Sequence, residues 1–212
     1  MRITGGTASG RILKVPKGLD VRPTPDLVKQ ALFNSLGARV AGASVLELFA
    51  GTGALSLDCL SRGAAHAMVV EKSARHARVI LDNLAAAGFA SEILEVRTHD
   101  AFAALSQLAA AGRKFDLVVA DPPYGEKNAD RRSHSLAQRL LDDVHLPQVI
   151  AADGMVILGH ARRDALEIPA GWRELKVLKH GDSMMRFLSP KTPASADSTG
   201  HGEPMGGVQP AT

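Results

Sequence analysis

The chain has a single cysteine, Cys59, in 212 residues, so it cannot close a disulfide within itself. No charged-then-apolar leader with a small-residue cleavage site stands at its start, and a reducing, cytoplasmic setting is expected. Long apolar runs are lacking too. The nearest approach, Val40 to Leu57, is interrupted by Glu47 and diluted by glycines, which excludes a membrane span. The eight histidines, His66, His76, His99 and His160 among them, show no metal-ligand spacing, and one thiol makes no cluster, so no metal is expected. A hydrolase elbow of the G-x-S-x-G type is missing. Gly5 to Gly10 has the glycine spacing of a phosphate loop, but Arg11-Ile12 stands where Lys-Ser/Thr is needed.

What remains is a globular composition, 45% apolar, long enough for one α/β domain. Net charge is only +3, but it is unevenly spread: residues 1–40 carry seven Lys and Arg against two Asp. A basic flank on a near-neutral body suits a polyanion, since Lys and Arg release counterions from phosphates.

Residues 1–16 read as a β-hairpin around a glycine-rich turn, an appendage to the rest. Thr24-Pro25-Asp26 opens a helix in which Leu27, Val28, Ala31, Leu32 and Leu36 recur at helical spacing up to Gly37. Strands are expected at Val45–Phe49, Ala67–Val70, Ile93–Val96, Phe115–Ala120 and Met155–Leu158, with helices over 53–63, 73–87, 101–112 and 134–150 between them. Apolar strands alternating with helices imply a mostly parallel, doubly wound sheet. Glu174–Leu178 and Ser183–Leu188 form an antiparallel hairpin at its edge. The expected division is a basic hairpin-and-helix extension over 1–40, a main domain over 41–189 and a disordered tail over 190–212.

Two motifs carry chemistry. The first is a strand, a glycine turn and a helix start, Glu47-Leu48-Phe49-Ala50-Gly51-Thr52-Gly53, where a ligand can lie against backbone free of Cβ atoms. Glu71, at the end of the next strand, can accept both ribose hydroxyls, so an adenosine-type cofactor is expected. A dinucleotide fingerprint wants a third glycine where Ser56 stands, which disfavours NAD. Glu47 suits a cofactor with a free ammonium rather than a pyrophosphate, and S-adenosylmethionine has one.

The second motif, Asp121-Pro122-Pro123-Tyr124, follows the fourth strand and so opens onto the same sheet edge. An exocyclic amine on a base is planar, its lone pair delocalised, and a poor nucleophile. The Asp121 carboxylate and the Pro122 carbonyl can accept its two N–H bonds and free the lone pair for in-line attack on a sulfonium methyl. Tyr124 would stack on the extruded base.

These residues resemble the RsmD-type methyltransferases of the N2 amine of a guanine in bacterial 16S rRNA, over most of residues 1–188. The resemblance rests on Arg2-Ile3 with Gly5-Gly6 and Gly10-Arg11, on Arg22-Pro23-Thr24-Pro25-Asp26 with Leu32-Phe33-Asn34, on the glycine turn with Leu60-Ser61-Arg62-Gly63-Ala64, and on Asn83-Leu84, the Asp-Pro-Pro-Tyr loop and Gly181-Asp182. Thr7-Ala8-Ser9 stands where the family often has an aromatic and a basic residue, and Lys29 where it usually has Arg.

It implies a Rossmann-like S-adenosylmethionine-dependent methyltransferase fold and rRNA methylation in the cytoplasm, acting on 16S rRNA or the assembled small subunit without an obligate protein partner. Asp121, Pro122 and Tyr124 would be catalytic. Glu47, Phe49, Ala50, Gly51, Gly53 and Glu71 would hold S-adenosylmethionine, with Asp100 and Ala101 flanking its adenine. Arg2, Arg11, Arg22, Thr24 and Pro123 would meet RNA. The amine-holding loop serves adenine N6 in DNA or RNA equally, and a non-catalytic RNA-binding or ribosome-assembly factor on the same fold is the rival from another class.

Overall fold

A computed structural model describes residues 1–15, 24–123 and 133–191. Seven strands form one sheet: β1 (Ser44–Leu48), β2 (His66–Glu71), β3 (Leu94–Thr98), β4 (Phe115–Ala120), β5 (Ile150–Ala161), β6 (Trp172–His180) and β7 (Ser183–Pro190). Their order is β3-β2-β1-β4-β5-β7-β6, the first five parallel and the β6–β7 hairpin antiparallel. The helices are α1 (Asp26–Leu36), α2 (Ala54–Ser61), α3 (Ala74–Ala87), α4 (Ala101–Ala110) and α5 (Leu136–Asp142). This is the Rossmann-like, mostly parallel sheet read from the sequence, with both faces covered.

The order reverses at β1, which pairs with β2 on one side and β4 on the other, Leu48 opposite Ala120. The next residues, Phe49 and Asp121, therefore emerge side by side at the switch point, where open α/β sheets place their ligands. Alternation along β1 divides the core. Val45 joins a layer with α1, α2 and α3, whereas Leu46 and Leu48 join a layer with α4 and α5. Glu47 shares Val45's face and is directed at α2, a helix in which every residue is buried.

Three elements differ from expectation. The fifth helix ends at Asp142 rather than near residue 150: Asp143 caps the following turn by accepting the His145 amide, and Pro147 opens a short 3-10 turn. Strand β5 starts at Ile150 and runs 12 residues. Its early part fits against a register shift in β4 because Gly154 has no Cβ, which would lie 2.9 Å from the Phe115 carbonyl oxygen.

The third difference is at the N-terminus, where the hairpin reduces to one bridge, Arg2 to Ile12, and the segment is no appendage. Ile3, Ala8 and Leu13 are buried in the α2–α3 layer. The backbone is tied to α2 by Thr4 N–H to Asp58 (2.8 Å), Thr7 N–H to the Ser61 carbonyl (2.7 Å) and Ala8 N–H to the Ser61 hydroxyl (2.9 Å). Approach is so close that a Cβ on Gly6, whose φ is +78°, would overlap the Ser61 carbonyl. On α3, Asn83 accepts from Lys14 N–H (2.7 Å) and donates to the carbonyls of Lys14 and Thr52, joining the segment to the glycine turn.

Candidate active site

The carboxyl ends of the five parallel strands border a cleft of about 1400 Å³. Phe49 and Gly51 follow β1, Glu71 ends β2 and Lys72 follows it, His99 to Phe102 follow β3, Asp121 to Pro123 follow β4, and Ala161 ends β5 with Arg163 just beyond. Thr24, Pro25, Arg139 and Asp182 complete much of the wall.

Acidic groups on the β1–β3 side are oriented by nearby backbone. Glu71 accepts Gly51 N–H on Oε2 and Ser73 N–H on Oε1, both at 2.8 Å, with His76 Nδ1 at 3.4 Å. Oε2, with one amide donor, retains a lone pair for an incoming hydroxyl, while Oε1 also faces His76. Asp100 caps α4 by accepting the amides of Phe102 (3.0 Å) and Ala103 (3.3 Å). Phe102 meets Phe49 edge to face at 6.0 Å and carries the Arg139 guanidinium 4.5 Å above its ring. Phe49 takes a φ of +57°, a strained setting for an aromatic residue, which directs the chain from β1 into the glycine turn.

Several expected cofactor residues stand back from the wall. Glu47 is 3% exposed and accepts the Ser56 amide of α2 at 2.8 Å; burial pushes its pKa up to about 7. Ala50 is buried and donates its N–H to the Val70 carbonyl. Gly53, also off the wall, is required by packing: its φ is +72°, and a Cβ would lie 2.9 Å from Ile80. Phe49, Gly51, Glu71, Asp100 and Ala101 do border the cleft.

Opposite them Asp121 receives the Thr24 hydroxyl on Oδ2 at 2.7 Å. Burial raises the Asp121 pKa, and the Thr24 bond opposes that shift. Pro122 and Pro123 border the cleft, whereas Tyr124 and Arg22 lie outside the described residues. Of the expected RNA contacts, Arg2 pairs with Asp26 at 2.9 Å and Arg11 reaches the Ala86 carbonyl, both exposed and neither on the cleft wall. Lys29 is wholly buried, 3.0 Å from the buried Asp58 and bonded to the Arg2 carbonyl. It holds the flank together and is not free to meet phosphate.

Lys72, Phe102, Arg139, Arg163 and Asp182 border the cleft without having been assigned a role from the sequence. Lys72 and Arg163 had a usable signal, because each follows the carboxyl end of a parallel strand. Among the described residues no group of three or more His, Cys, Asp or Glu could hold a metal, and no helix is long and apolar enough to cross a membrane.

Strand order, glycine turn and the acids Glu71 and Asp121 facing one cleft define a Rossmann-like domain of the methyltransferase type. The chain belongs to the family described as conserved hypothetical protein 95, which matches residues 1–189, and the RsmD-type resemblance read from the motifs holds. It is 48% identical over 71 residues to the ribosomal RNA small subunit methyltransferase D of Escherichia coli strain K12, a stretch covering 34% of this chain and 36% of that relative's length. The solved structure of yhhF from Escherichia coli superposes with a TM-score of 0.74 at 28% identity, covering 91% of this chain and 99% of that one. SMU.776, solved complexed with SAH, shares the fold alone, with a TM-score of 0.60 at 16% identity over 77% of this chain and 48% of that one.

Proposed function

We propose that the protein transfers a methyl group from S-adenosylmethionine to the N2 amine of a guanine in 16S rRNA, as free rRNA or within the small subunit. The observation that carries this reading is the placement of Asp121 at the end of β4, beside the β1 turn and across one cleft from Glu71. The name of the Escherichia coli relative, a methyltransferase of small-subunit rRNA, supports the substrate class.

The cleft residues fit the cofactor. Glu71, already oriented by two backbone amides, would accept a ribose hydroxyl, and Asp100 with Ala101, on the same wall, would flank the adenine. Glu47 acts from beneath, fixing the α2 N-terminus rather than forming the wall. When bound, S-adenosylmethionine supplies an electrophilic methyl on a positively charged sulfur.

On the other side Asp121 and the Pro122 carbonyl accept the two N–H bonds of the base amine and orient its lone pair. Positive charge grows on that nitrogen during transfer, so an ionised Asp121 is worth more in the transition state than in the ground state. The proton then leaves to solvent or to the same carboxylate. Stacking on the base is assigned to Tyr124, and phosphate contacts to Arg2, Arg11 and Arg22 of the basic flank over residues 1–40. The methyltransferase domain proper spans 41–189, with the flank over residues 1–40 packed onto it and reaching the cleft through Thr24 and Pro25, and the protein works where ribosomes are assembled, in the cytoplasm.

The test is transfer of labelled methyl to unmodified small subunits and to their naked rRNA, followed by nucleoside digestion. Label in N2-methylguanosine is expected. Label in N6-methyladenosine would keep the amine chemistry and overturn the base, while intact cofactor binding with no label on either substrate would favour a non-catalytic RNA-binding factor.

A further inference from the structure

We propose that Thr24 is a positioning residue that holds the Asp121 carboxylate in its working orientation, so that the N-terminal flank completes the methyl-transfer site. This rests on the reading of Asp121 as the amine acceptor. It replaces the direct RNA contact expected of Thr24 from the sequence.

Among the described residues, the Thr24 hydroxyl is the one hydrogen-bond donor to the Asp121 side chain, at 2.7 Å and across 97 positions of chain. The opposite side of the carboxylate rests on bare backbone. A Cβ on Gly159 of β5 would lie 2.3 Å from Asp121 Oδ1, so that strand admits the side chain only because it has glycine there. Asp121 is thus confined between a donor on Oδ2 and a smooth strand beneath Oδ1.

Thr24 is itself held. The neighbouring Pro25 carbonyl accepts the Lys29 amide at 3.0 Å, and the buried Lys29 ammonium is bound to Asp58 of α2. Asp26 of the same turn pairs with Arg2. The start of α1 is therefore fixed to α2 and to the N-terminal segment, and Thr24 is presented to the cleft from a rigid base.

A donor at this point matters because burial opposes the ionised form of Asp121, and only an oxygen lone pair left free of a proton can accept from the amine. Among the described residues, the other charged and titratable groups around the cleft are Glu71, Lys72, His76, His99 and Asp100 beyond β2 and β3, Arg139 on α5, and Arg163 with Asp182 beside the β6–β7 hairpin; Glu47 lies behind, in β1. Among the described residues, none of these is hydrogen-bonded to Asp121, so loss of the Thr24 hydroxyl leaves its role unfilled.

Thr24→Val removes the donor at nearly constant shape, and Thr24→Ser keeps it. The full chain would be compared for kcat and KM with unmodified small subunits, for the pH dependence of kcat, and for SAH affinity. Losing a hydrogen bond to a charged group predicts a kcat for Thr24→Val lower by about tenfold or more, with the acid limb moved to higher pH. SAH affinity and KM should change by less than about twofold, and Thr24→Ser should restore kcat to within about threefold of the parent.

A raised KM at unchanged kcat would make Thr24 an RNA contact and overturn the proposal. So would equal loss in Val and Ser variants, or loss of SAH binding together with kcat. Asp121→Ala separates the two levels: if it transfers methyl normally, the reading of Asp121 itself fails, whereas an inactive Asp121→Ala beside an unimpaired Thr24→Val removes the positioning role alone.

Discussion

The two sides of the cleft are built differently. On the β1–β3 side each acid is set by backbone amides, most of them close by in the chain: Asp100 by Phe102 and Ala103, Glu47 by Ser56, and Glu71 by Ser73 and, 20 positions away, by Gly51 of the neighbouring strand's turn. On the β4–β5 side the one acid of the amine-holding loop takes its donor from a hydroxyl 97 residues away. Backbone amides at turns and helix starts form wherever the turn forms, so the first side is preorganised by local structure. The second depends on the N-terminal flank docking on α2. Cofactor binding and methyl transfer should therefore fail separately.

The sharpest way to break this comparison is Asp121→Ala, which should lower transfer about 10²- to 10³-fold by removing a group that acts on developing charge. Initial rates on unmodified subunits would measure it, and a small loss would erase the distinction. Glu71→Ala acts on the other side. Its loss should weaken SAH binding roughly 10- to 100-fold, the worth of charge-assisted hydrogen bonds, as read by calorimetric titration. A defect confined to kcat would contradict a ribose-binding role.

Glu47→Gln tests stability instead. Glu47 has a folded pKa near 7 against an ordinary 4.5, so the folded chain binds its proton more tightly. Its favourable contribution is complete below pH 4.5 and declines by up to about 1.4 kcal/mol per pH unit until it is lost above about pH 7. A glutamine keeps an acceptor for the Ser56 amide without the charge. Thermal unfolding of Glu47→Gln should thus show a higher Tm than the parent above pH 7 and converge with it near pH 4. The smallest effect belongs to Arg11→Ala. It should reduce the salt dependence of rRNA binding by about one unit of slope and leave kcat alone.

Local construction also explains what was legible in the sequence. Glu71, Asp100 and Asp121 were readable because each follows an apolar run, and in a parallel sheet every such run ends at the same edge. Gly51 and the mostly parallel sheet came with them. The packing of residues 1–15 was not readable, because Ile3, Ala8 and Leu13 are too sparse for any period, and their partners lie on α2 and α3. Lys29 was counted with the basic flank, since nothing local shows that Asp58 awaits it. Gly53 was read from the glycine turn alone, and the packing against Ile80 that also requires a glycine there comes from another helix. The same distance hid the bond between Thr24 and Asp121. Helix α5 ran too long in expectation because its apolar spacing continues past Asp143, where the backbone has already turned.

The division between the two sides is tested most directly by titrating SAH into Asp121→Ala protein. Affinity within about twofold of the parent is expected, since no backbone amide of the β1–β3 side depends on Asp121. A weakening of about tenfold or more would show that the cofactor side is held by the same contacts as the substrate side, and would contradict a cleft built in two independent halves.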